Sequence, residues 1–331
     1  MKTIMNTHSI LANLGFAFAL SLGLSACDFS CSGKTTENAA ANTSANTPTF
    51  DENYAYGVIK KYESFGPKVP GTPEHKKAGD WMVQELKTFS STVFEQTGSA
   101  KTFEGNTVPL RNIIVQFNPS AKVRYLLSAH WDNRPFADED KVDKKGPIPG
   151  VNDGGSGVAV LMTIAKALKD QKMSFGVDLA FFDLEDWGTP RIEESYCLGT
   201  QYWAKNPVPA NYTAKFGVNY DMVGRIGSQF PVEVYSYEKG AEVYDKLHAA
   251  AQTLGYQDFF PSYKIGPVVD DHVYVMQGRG FPMIDLIYMT EQGRFPPEWH
   301  THDDTSEYIS RDVLKVVGQT TLQMLFADQS K

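Results

Sequence analysis

VDLAFFDLEDWGTP, residues 177–190, opens as a strand and closes on two acids and a turn. Its first eight residues are mostly apolar, the pattern of a strand covered on both faces. Side chains alternate across a strand, so the neighbours Glu185 and Asp186 can reach one site only where the strand has ended and the backbone bends. Gly188, Thr189 and Pro190 fit such a bend. On that reading one acid can bind a metal while the other stays free as a base. The alternative is a pair of solvated loop acids.

The same form recurs along the chain. Further strands are expected at 111–117, 123–131, 216–223, 232–237 and 282–289, with helices at 50–65, 73–89, 156–171, 241–254 and 310–327. Strands alternating with helices describe an α/β domain, doubly wound, its mostly parallel sheet covered by helices on both faces. His130 and Asp132 end one strand, Glu185 and Asp186 another, and Asp221 a third. Open α/β sheets bind ligands at the carboxyl ends of their strands, so these residues should meet in one crevice.

Two loops add to that set. Asn-Asp-Gly-Gly-Ser-Gly, residues 152–157, opens a helix, and its Asp153 is either a plain N-cap or a carboxylate pointing into the crevice. PPEWHTHDDTSEY, residues 296–308, sets Trp299 directly before His300. Asp153, Asp186 and His300 together form the N/O donor set of a catalytic zinc, which uses three protein ligands and keeps a position open.

These motifs carry a resemblance. HWD (130–132), NDGGSG (152–157), FFDLED (181–186), NYDMVG (219–224) and HTHDD (300–304) appear in the order seen in the zinc aminopeptidase superfamily. VVDDHVYVMQGRGFPMIDLIYMTEQGRFPPEWHTHDD is similar to animal-type glutaminyl cyclases, which also occur in bacteria. The resemblance runs from about Asn53 to Phe326. It implies one zinc on Asp153, Asp186 and His300, with Glu185 as general acid/base and Asp221 and Asp270 in a hydrogen-bond network beside it. Trp299 would wall the substrate pocket, Trp203 would be its second indole or a core residue, and His272 is a supporting candidate there. Asp186 departs from the animal enzymes, which carry Glu. The implied activity is cyclisation of N-terminal glutamine in peptides and proteins. The alternative is a peptidase with two zinc ions, the second held by His130, Asp221 and the bridging Asp153.

Composition and the N-terminus bound the rest. The chain has 331 residues, a formal charge of −8 and no Lys/Arg cluster, which argues against nucleic-acid binding. Residues 1–27 carry an apolar run too short to span a bilayer, then Leu24-Ser25-Ala26-Cys27, which resembles a bacterial lipobox. Cleavage before Cys27 would leave a lipid anchor on that cysteine and place the protein in the cell envelope, facing the periplasm. Residues 28–48, rich in Ser, Thr, Asn and Ala, read as a flexible tether to a single catalytic domain at 49–331. Of three cysteines, Cys197 alone lies in that domain, which excludes an internal disulfide.

Overall fold

The computed structural model describes residues 47–290 and 292–327. The signal segment, Cys27 and the tether up to residue 46 lie outside the described residues. Strand β4 (Gly176–Phe182) is buried at all seven positions, as its apolar run requires. It pairs in parallel with β3 (Arg124–His130), which pairs in parallel with β5 (Phe216–Asp221), and β5 likewise with β8 (Met283–Ile287). On the other side β4 meets β2 (Thr107–Phe117) antiparallel, and β2 forms a hairpin with β1 (Thr92–Lys101). The six-stranded order is therefore β1-β2-β4-β3-β5-β8. The expected mixed, mostly parallel α/β sheet is borne out.

Helices cover both faces. On one side pack α1 (Glu52–Glu63), α2 (Pro73–Leu86), α3 (Gly155–Leu168), α5 (Val234–Leu254) and α7 (Arg311–Ala327), around a core that includes Ile59, Met82, Leu161, Leu247 and Leu325. The smaller helices α4 (Leu198–Lys205) and α6 (Asp271–Arg279) seal the other side with Trp203, Val275 and Met276.

The structure corrects the expected strand at 232–237. Only Val232 and Glu233 are extended, as β6, paired in parallel with β7 (Lys264–Ile265); helix α5 begins at Val234. The alternating valines and tyrosines favour a strand locally, but the Glu233 carboxylate accepts the backbone N–H groups of Tyr235 and Ser236 and caps the helix instead. Strand β1 and helices α4 and α6 were not expected from sequence.

Connections in opposite directions from β3 open the crevice: β4 lies on one side of it and β5 on the other. His130 ends β3, Asp221 ends β5, and the acids follow β4. Their positions follow from topology alone.

Candidate active site

The bend after β4 solves the problem of the adjacent acids. The strand stops at Phe182, Leu184 takes a left-handed conformation (φ 54°), and both Glu185 and Asp186 then line one cavity of about 330 Å³. Asp132 holds this turn: its Oδ1 and Oδ2 accept the backbone N–H groups of Glu185 and Asp186 at 3.0 and 3.3 Å. Asp153 is placed in a similar way, because Asp304 accepts the N–H groups of Asn152 and Asp153 at 2.8 and 3.0 Å. Gly154 (φ 81°), not Asp153, caps α3, and a Cβ there would lie 2.9 Å from the His130 ring. Only glycine lets the turn pass so close to the histidine.

Asp153, Asp186 and His300 each offer a ligand atom within 4.8 Å of the others. His300 Nε2 lies 3.4 Å from Asp186 Oδ1 and 3.7 Å from Asp153 Oδ2. Asp153 Oδ2 and Asp186 Oδ2 are buried and, among the described residues, have no hydrogen-bond partner. Orphaned carboxylate oxygens beside an imidazole are costly without a cation, so this donor set fits a metal. His130, Asp153 and Asp221 form a second set of the same span. Here His130 Nε2 stands 3.1 Å from Asp153 Oδ1 and 3.2 Å from Asp221 Oδ1, while His130 Nδ1 is buried with no hydrogen-bond partner among the described residues. Asp186, for all its shorter arm, keeps Oδ1 3.4 Å from His300 Nε2.

Burial and charge set the protonation states. Burial lifts the Glu185 carboxyl well above its ordinary range, with the charges of Asp186 and Asp270 adding to it against the pull of His130. Asp153 is pushed up to about 6 by burial and then by the Asp186 charge. Asp270 rises to about 6 through burial and the Asp221 charge. Asp186 goes the other way, since His300 and Arg134 together outweigh its burial. For His300, burial favours the neutral ring, but Asp186 and Asp138 prevail and raise its pKa to about 9. A carboxyl of raised proton affinity next to one kept ionised is the environment a proton carrier needs.

The remaining residues sort by position. Asp221, Asp270 and Trp299 line the cavity with Glu185. The Trp299 indole stacks on the His300 ring, with centroids 3.7 Å apart and planes 21° apart, and Phe295 packs beside it. Asp221 bonds to His130, whereas Asp270 caps α6, accepts from Asn219 at 2.9 Å and stands within 4.8 Å of Glu185.

Trp203 is corrected: it is 1% exposed, packed against Phe182 and Tyr212 beneath α6, and does not line the cavity. Of the two readings open for it, pocket indole or core residue, the core one holds, since its ring packs on Phe182 and Tyr212. His272 is also away from the cavity, fully buried with Nε2 3.2 Å from Glu233. Helix α6 turns it inward, one residue past Asp271.

Sequence reasoning missed Asp138 and Arg134. Asp138 Oδ1 lies 3.2 Å from His300 Nδ1, and Arg134 bridges the Asp138 and Asp186 carboxylates. Both sit in a polar loop after β3 that gives no periodic signal, although an Arg and an Asp four apart could have marked an ion pair.

The profile of Peptidase family M28 matches residues 112–325. Glutaminyl cyclase from Porphyromonas gingivalis has a similar structure, with a TM-score of 0.82 and 39% identity over 85% of this chain and 99% of that one. A Zn-dependent exopeptidase from Parabacteroides distasonis has a TM-score of 0.82 and 40% identity over the same shares. The bovine glutaminyl-peptide cyclotransferase is 26% identical over 281 residues, 75% of this chain and 74% of that protein. Sheet order, strand-end acids and the profile agree with the family expected from the motifs, and the chain belongs to Peptidase family M28.

Proposed function

We propose that this protein is a zinc-dependent glutaminyl-peptide cyclotransferase, converting N-terminal glutamine of exported peptides and proteins to pyroglutamate with release of ammonia. The observation that carries this reading is Glu185: buried, outside the orphaned Asp153–Asp186–His300 donor set, and facing the same cavity as Trp299. The similar P. gingivalis and bovine proteins support it.

In the reaction the α-amine of glutamine attacks its own γ-carboxamide carbon. The new C–N bond closes the ring, and the carboxamide nitrogen leaves as ammonia. Zinc held by Asp153, Asp186 and His300 would supply Lewis acidity to the amide oxygen. Glu185 takes a proton from the attacking amine and hands it to the departing nitrogen; one carboxyl can serve both because the two nitrogens meet at the same reacting carbon. Burial, helped by the charges of Asp186 and Asp270, keeps its proton affinity high. Trp299 forms the wall against which the side chain folds back, and it keeps water from the reacting carbon. No water is consumed, so one metal suffices.

A second reading, a di-zinc aminopeptidase, rests on the His130, Asp153 and Asp221 set. Incubating zinc-loaded protein with matched Gln-Xaa and Leu-Xaa peptides separates the two by mass spectrometry. Loss of ammonia from Gln-Xaa supports the cyclase, and free leucine supports the peptidase.

The proposal extends to location. The Leu24-Ser25-Ala26-Cys27 motif supports lipid anchoring at Cys27, with the domain on a tether facing the periplasm. Among the described residues no helix is long and apolar enough to cross a membrane. Replacing Cys27→Ser should move the protein from the detergent to the aqueous phase on partitioning; retention in detergent would count against the anchor.

A further inference from the structure

The Cys197 thiol is fully buried and has no part in the mechanism above, yet it lies 3.4 Å from Glu185 Oε1. Its backbone is tied to the same acid. The Cys197 N–H donates to the Glu185 carbonyl at 2.8 Å, and the next N–H, of Leu198, donates to Leu184 at 2.8 Å. Helix α4 starts here and presses close, since a Cβ on Gly199 would fall 2.0 Å from the Asp183 carbonyl. Cys197 itself is left-handed, with φ 54° and ψ 35°. Glycine adopts that conformation freely and a residue with a Cβ does so at a cost.

We propose that Cys197 is a positioning residue for the cyclisation, its S–H donating to Oε1 of Glu185 and so turning the other carboxyl oxygen toward the substrate nitrogens. Oε2 lies on the His130 side, 3.9 Å from Nδ1, too far to fix the carboxyl plane by itself. A freely rotating carboxyl would present its oxygens to the two nitrogens at random, and misplacement slows proton transfer more than binding. The thiol suits the position as a small, weak donor that tolerates burial with a single partner. Cys197 does not line the cavity, so it acts through Glu185 and not on the substrate.

The inference rests on the role given to Glu185, and two measurements separate its failure from the failure of that role. In turnover of a Gln-peptide by the full chain, Cys197→Ala should lower kcat about fivefold while KM stays within about twofold, and Cys197→Ser should recover most of kcat because it keeps a donor. Unchanged kcat in the alanine variant, or a serine variant as slow as alanine, overturns the proposal. Infrared spectroscopy reads the contact without turnover. The S–H stretch that disappears in Cys197→Ser should shift to higher frequency in Glu185→Ala, where its acceptor is gone. An unshifted band overturns the contact even if the alanine variant fails to fold. A wild-type protein that leaves Gln-peptides intact, with the band shifting as expected, would remove the cyclase reading and keep the contact.

Discussion

Asp138 Oδ1 lies 3.2 Å from Nδ1 of His300, leaving Nε2 of that ring toward Asp153 and Asp186. The carboxylate fixes which nitrogen carries hydrogen and which is free to bind metal. Partners of this kind typically govern about 10–100-fold in metal affinity. Asp138→Asn should therefore weaken zinc binding by that factor in a chelator competition, with the fold unchanged by circular dichroism. Equal affinity would mean that stacking on Trp299 orients the ring without help.

Glu185→Gln should keep zinc and fold but lose about 10²–10⁴-fold in turnover, because an amide cannot relay the proton. His300→Ala is the control and should lose the metal as well. A loss under tenfold, with zinc retained, would move the proton-carrying role elsewhere.

Trp299→Ala should leave zinc bound, since the ligand is untouched, and cut kcat/KM for Gln-peptides at least about tenfold through lost aromatic contact and positioning. Melting temperature, zinc content and kcat/KM belong on one preparation. A folded, zinc-loaded variant with wild-type kinetics would mean that the indole only packs on His300.

Zinc removal should cost stability as well as activity. Without a cation the carboxylates of Asp153 and Asp186 face each other with orphaned oxygens. Zinc at a thousand times its dissociation constant stabilises the native state by about 4.1 kcal/mol, which reads as a rise in melting temperature on titrating apoprotein. Metal analysis after loading should give about one zinc per chain under the three-ligand logic. Two tightly held ions, both needed for activity, would favour the peptidase.

The sheet and the placing of the acids were legible because both depend on local pattern. Apolar runs such as 177–182 announce buried strands, and a polar residue after such a run marks a strand end wherever topology later puts it. VEVYSY misled because its alternation matches a strand, while the deciding event is a cap made by Glu233. Strand β1, TVFEQTGSAK, is an edge hairpin strand with a glycine and mixed exposure, so little apolar contrast marks it. Asp138 and Arg134 had no pattern at all. Their roles arise only when the loop after β3 meets the loop carrying His300, and a contact between segments over 150 residues apart leaves no trace in spacing.

The Asp304 carboxylate that cradles Asn152 and Asp153 has a consequence for how the molecule is born. It spans 151 residues to Asp153, and His300 sits on the same late loop. Closing so long a loop is entropically demanding and tends to come late in folding. A nascent chain can lay down β3, β4 and α3 early, yet it holds no finished metal cradle until its last segments dock. Metal uptake is thus a timestamp of completed folding: a chain whose late loop around His300 and Asp304 is loosened should be betrayed by its failure to take up the ion before any loss of secondary structure is visible.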